Sequence, residues 1–142
     1  MKRYLLFLLL LGIAGAGFAQ QLPGWVQSPP ARTSTYYYRV SQGTGLTEEE
    51  AGRKAFVMAI MESAFAVGIP VDMKKLEKMQ GDSLLIEGSR YVKIPINKVC
   101  QYTESLVTRR GYRAYILCQV ANDVHTPPAF KSFNCITNKE EE

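Results

Sequence analysis

Thr47 to Val67 reads TEEEAGRKAFVMAIMESAFAV, and the fold turns on how this stretch is read. Thr47 followed three places later by Glu50 makes a capping box, and Glu48, Glu49 and Glu50 sit where the positive end of a helix dipole favours acid. A helix therefore starts at Thr47. Along it Ala51, Ala55, Met58, Ala59 and Ala66 recur at three- and four-residue steps, flanked by Phe56, Ile60 and Val67, while Arg53, Lys54 and Glu62 supply polar positions. Alanine puts almost no side chain between its helix and whatever the stripe meets. Such a stripe predicts a helix lying close across strands rather than one wound into a coiled coil.

Upstream, Tyr36-Tyr37-Tyr38-Arg39-Val40 is aromatic and β-branched, with Tyr36, Tyr38 and Val40 on one face and Thr35, Tyr37, Arg39 and Ser41 on the other. This predicts a first strand, broken by Gly43-Thr44-Gly45 before the helix. Downstream, the helix ends near Gly68, and Met73, Leu76 and Met79 fall three apart, predicting a second short helix over Asp72 to Met79. Strand patterns follow at Leu84 to Ile86, Tyr91 to Ile94 and Asn97 to Thr108. Tyr112 to Val120 then places Tyr112, Ala114, Ile116, Cys118 and Val120 on one face, after a turn at Arg109-Arg110-Gly111. The expected fold class is α+β, one long helix packed across a small antiparallel sheet. Its expected organisation is an extended lead-in over 20–34, one domain over 35–130 and a flexible charged tail over 131–142.

Residues 1–19 have the three parts of a cleavable secretory signal. Lys2 and Arg3 are positive, Tyr4 to Ile13 is apolar, and Gly17-Phe18-Ala19 offers small residues for cleavage after Ala19. The apolar run is about half of the ~20 residues a permanent membrane helix needs, and no later stretch is long and uncharged enough to be one. The first cysteine is Cys100, so no lipid acceptor follows the signal. Without Lys2 and Arg3 the net charge falls from +4 to +2, and the remaining cations are scattered apart from Lys74-Lys75, Lys78 and Arg109-Arg110. That distribution lacks the continuous basic stripe of a nucleic-acid binder.

Few residues here point to catalysis. Gly43-Thr44-Gly45 stands between a strand and a helix as a phosphate-binding turn would, but Glu48 occupies the third glycine's place and the acidic cluster repels an anion. His125 is the one histidine, and with Asp123 it lacks further ligands at metal spacing or a serine in a glycine frame. Glu62, Asp72, Asp82, Glu87 and Glu104 are isolated along the chain and read as solvated surface. No cofactor is expected. Three cysteines in an exported chain favour one pair. A hairpin turning at Arg109-Arg110-Gly111 sets Cys100 nearly opposite Cys118. A bond between those two is one reading, two buried reduced thiols another, and Cys135 pairing with either or with another chain a third.

Trp25, Pro29, Tyr37-Tyr38, Gly43, Gly45, Glu50-Ala51-Gly52-Arg53-Lys54-Ala55 and Ala59 resemble the opening of the LPP-twenty-type bacterial lipoprotein family, over Trp25 to about Val67. That family's fold is similar to the amino-terminal domain of flagellar assembly protein T. The resemblance implies a helix on a small antiparallel sheet and an envelope protein without catalysis. Arg39, where the family has a small residue, Gly52 within the helix and the missing lipidated cysteine depart from the pattern, so membrane anchoring does not carry over. The expected function is an exported, non-enzymatic envelope protein, periplasmic or secreted and peripheral at most to the outer membrane. It would bind another envelope protein or a cell-wall component through exposed aromatics, Trp25 and Tyr37. Two other readings stand beside it: a small hydrolase or cell-wall-modifying enzyme with Asp123 or another carboxylate converging on His125 or on a second carboxylate in a cleft, and a small-molecule binder with an apolar cavity lined by Phe56, Met58 and Ile116.

Overall fold

In the computed structural model of the protein, which describes residues 20–69, 83–87 and 93–142, Thr47 caps the helix as its spacing predicts. Its hydroxyl accepts from the Glu50 N–H at 3.1 Å, and α2 runs from Glu48 to Ala66 after a short α1 turn at Gly24–Gln27. The strands are β1 (Tyr36–Gly45), β2 (Ser83–Glu87), β3 (Lys93–Ser105), β4 (Tyr112–Ala121), β5 (Phe133–Asn134) and β6 (Lys139–Glu140). Four of them form an antiparallel sheet in the order β1-β4-β3-β2, and β5 pairs with β6 in a separate hairpin. The fold is α+β, with α2 packed across β1, β4 and β3. The second short helix expected over Asp72 to Met79, and residues 1–19, lie outside the described residues.

The buried stripe of α2 consists of two adjacent rows at four-residue steps, Ala51-Ala55-Ala59-Ser63 and Gly52-Phe56-Ile60-Ala64. Met58 and Ala66, expected on that stripe, face solvent, because the inward face drifts with a step of four and leaves both behind. The centre of the stripe is seated as its alanines predict: Ala51, Ala55 and Ala59 are fully buried against the sheet. Gly43 and Gly45 do not break β1. They pair with Ala114 and Tyr112 and form the strand's last turn of pleat, where α2 comes so near that a Cβ on Gly43 would lie 2.4 Å from the Ala55 nitrogen. Gly52 does not interrupt the helix either, and lies beneath the Gln101 amide of β3.

A second core lies on the other face of the sheet. Ile94, Ile96, Ala114, Ile116, Cys118 and Val120 face α2, whereas Tyr36, Tyr38, Cys100 and Leu117 pack with Trp25 beneath a cover built from α1, residues 130–135 and the β5-β6 hairpin. Being covered on both faces, β4 is buried continuously from Ile116 to Ala121. Two boundaries change as a result. The lead-in is not simply extended, because α1 seats Trp25 at 1 % exposure, and the segment expected to be a flexible tail forms the cover.

The cover is held by a disulfide between Cys100 and Cys135, not between Cys100 and Cys118. A bulge between Lys98 and Cys100 explains the difference. Lys98 pairs with Cys118, Val99 is skipped, and Cys100 pairs with Leu117, so the strand changes which parity faces the helix. Ile94 and Ile96 therefore point toward α2 while Cys100 points to the cover, leaving Cys118 buried on the opposite face of the sheet.

Candidate functional site

Trp25 and Tyr37 do not share a surface. Trp25 anchors the cover, while Tyr37 is half-buried on the helix side, with the Arg32 and Arg39 guanidiniums 5.3 and 5.6 Å from its ring centre. Arg39 also meets Glu62 at 3.5 Å, and the Ser41 hydroxyl donates to the same carboxylate at 2.7 Å. Trp25 is thus corrected from surface to core: an indole this apolar is worth more buried beneath a strand than exposed in water. Phe56 and Ile116 are buried in the helix-side core and Met58 is exposed, so the three do not line one cavity.

The residues considered for catalysis hold the framework. Asp123 accepts from the His125 backbone N–H and from the Thr126 hydroxyl, both at 2.9 Å, forming a turn in which the carboxylate serves the peptide and not the imidazole. Those bonds, the His125 N–H first, hold its pKa below the ordinary range. Glu104 accepts from Tyr115 at 3.4 Å and lies 3.9 Å from Arg113. Among the described residues no three His, Cys, Asp or Glu side chains gather to hold a metal ion, and no helix is long and apolar enough to cross a membrane.

A polar knot absent from the sequence-based expectations lies under the cover. The Tyr36 and Tyr38 hydroxyls both donate to Glu140 Oε1 at 2.6 Å, and the fully buried Gln119 amide donates to the Tyr38 oxygen at 3.2 Å and to the Lys131 carbonyl at 2.9 Å. The two hydroxyls, Tyr36 first, hold the Glu140 carboxyl below its usual value of 4.5. Burial first, and then Glu140, pushes both tyrosines above 10.0. The signs fix the pH window. Stability from Glu140 is present above pH 4.5 and is lost as pH falls through its lower folded value. Stability from the tyrosines is present below pH 10.0 and is lost as pH rises through their higher folded values. Glu140→Gln is expected to cost about 1 to 2 kcal/mol at pH 7, the scale of a weakened charge-assisted hydrogen bond. Urea melts at stepped pH should show wild type and variant converging in acid. A gap that stays constant down to pH 3 would contradict this role for Glu140.

Among the described residues, an open concavity lies at the end of the sheet where β1 passes into α2. It is a cleft of about 310 Å³ lined by Thr44, Gly45, Leu46, Glu50, Lys54, Leu106, Arg109 and Arg110. The helix cap builds one wall: Glu50 accepts from the Leu46 N–H at 2.8 Å and binds Lys54 at 2.7 Å one turn on. Lys54 first, then that N–H, lowers the Glu50 pKa. The β3-β4 connection supplies the other wall and is closed by the Leu106 N–H donating to the Gly111 carbonyl at 2.9 Å. Among the described residues Arg109 and Arg110 have no hydrogen-bond or ion-pair partner, and both are exposed. The sequence pattern places these arginines in a turn and marks no site there, because Thr44 to Leu46 lies more than sixty residues upstream and only the β1-β4 pairing brings the two together. Comparisons with family models, curated proteins and solved structures find no match to this chain.

Proposed function

We propose that this chain is an exported, non-enzymatic envelope protein, periplasmic or secreted, that binds another envelope protein or a cell-wall component. One observation carries the binding half of the reading. Glu62, Glu104, Asp123 and Glu140 are all engaged in holding strands, helix or turn, whereas Arg109 and Arg110 line an open cleft with no partner among the described residues. Charged groups left unpaired beside a concave surface are available to a ligand. Two features support export: the signal-like composition of residues 1–19, and the Cys100–Cys135 bond, which belongs to an oxidising compartment. The resemblance to LPP-twenty-type proteins supports an envelope role.

Expression in a Gram-negative host with the native amino terminus tests both halves. The periplasmic product should begin at Gln20, carry one disulfide, and co-sediment with purified cell-wall sacculi or crosslink to a discrete envelope protein. A full-length, fully reduced product confined to the cytosol would overturn the reading. So would release of soluble wall fragments by the purified protein, which would favour a hydrolase.

A further inference from the structure

We propose that the cleft between the β1-α2 junction and the β3-β4 connection binds the free carboxylate end of a short peptide; this rests on the binding role argued above. Three cations line the cleft against one carboxylate, and that carboxylate, Glu50, is neutralised by Lys54 at 2.7 Å. The surplus charge therefore belongs to Arg109 and Arg110. A guanidinium presents paired N–H donors at the spacing of carboxylate oxygens, so adjacent arginines on a short connection suit one small planar anion.

The other walls narrow the class further. Leu46 and Leu106 flank the arginines, and Leu46 is 74 % exposed, an apolar surface that gains by covering a small aliphatic side chain next to the carboxylate. A volume of about 310 Å³ is at the lower end of the range for small-ligand sites and admits a chain end rather than a folded partner. Glu48 and Glu49 are exposed on the adjoining first turn of α2. Their charge weakens the hold of the arginines on any anion, so the preference for a peptide end over phosphate comes from Leu46 and Leu106, which an aliphatic side chain covers and phosphate does not.

Trialanine free acid, trialanine amide and inorganic phosphate, each titrated into the purified chain and followed by amide chemical shifts, test this directly. The free acid should move the signals of Thr44 to Leu46 and Leu106 to Gly111, with the amide about tenfold weaker, the scale of a lost charge-assisted hydrogen bond. Phosphate should bind less tightly than the acid. The variant carrying Arg109→Ala and Arg110→Ala should lose about tenfold in affinity for the acid while its melting temperature is unchanged, because both side chains are exposed and hold nothing else. Arg109→Lys with Arg110→Lys should recover only part of the loss. Equal binding of acid and amide, unchanged binding by the double alanine variant, or a preference for phosphate would overturn the proposal. Sacculus binding that persists when trialanine fails would sink this site alone. Trialanine binding by a chain that is never exported would sink the envelope reading and leave the site standing.

Discussion

Gly43→Ala is expected to destabilise the protein by about 3 kcal/mol or more, the upper range for forcing an extra group into a packed interior. The added methyl would lie 2.4 Å from the Ala55 nitrogen, 2.8 Å from the Ala51 carbonyl oxygen and 2.8 Å from the Lys54 carbonyl carbon. All three are helix backbone, so no side chain can swing aside. Relief requires lifting α2 from β1, which opens the contacts that Ala51, Ala55 and Ala59 make at full burial. For a domain of this length a loss of that size lowers the melting temperature by roughly 10 °C or more. Gly68→Ala provides the comparison. Gly68 has φ of 71°, and a methyl added there would meet no atom within 4 Å, so its replacement incurs only the left-handed backbone penalty of about 1 kcal/mol. Thermal melts by circular dichroism separate the two. If Gly43→Ala melts as high as Gly68→Ala, the close seating of helix on strand is wrong.

Cys135→Ser should cost about 4 kcal/mol, from the chain-entropy relation for a loop closed over the sequence separation of 35 between Cys100 and Cys135. The local consequence follows from what the bond restrains. The β5-β6 hairpin is only two residues deep on each side, so without the bridge it relies on Phe133 against Tyr38 and on the Glu140 bonds to Tyr36 and Tyr38. A reducing agent should lower the melting temperature of the wild type toward that of Cys135→Ser and leave the variant unmoved. Cys118→Ala should keep the wild type's full sensitivity to reduction, because Cys118 lies on the helix side of the sheet. Peptide mapping without reduction should recover Cys100 linked to Cys135. A linked peptide containing Cys118 would place the β3 bulge elsewhere.

Arg109 and Arg110 show how much of the candidate site was legible. Their turn could be read from glycine and flanking strand patterns, but a turn is a local property and a cleft is not. Its other wall comes from Gly45 and Leu46, brought alongside by the antiparallel pairing of β1 with β4. Trp25 and Tyr37 failed as a joint surface for a similar reason. Aromatic residues advertise burial or binding equally well, and which applies depends on the layer that covers them.

What the chain's own pattern determined is local and periodic: the Thr47 cap, the alanine contact of Ala51, Ala55 and Ala59, the alternation of Tyr112 to Val120, and the α+β class that follows. Each depends on residues within a few positions of one another, where helix and strand geometry leave few choices. Tertiary structure decided the rest. One skipped residue at Val99 reversed the facing of Cys100, and a carboxylate at Glu140 capped two tyrosines about a hundred positions upstream, turning an apparent tail into the sheet's second cover. Strand parity and long-range pairing are set by the energy of the whole packed assembly, so a single added or skipped residue exchanges the two faces without leaving a mark in the local pattern.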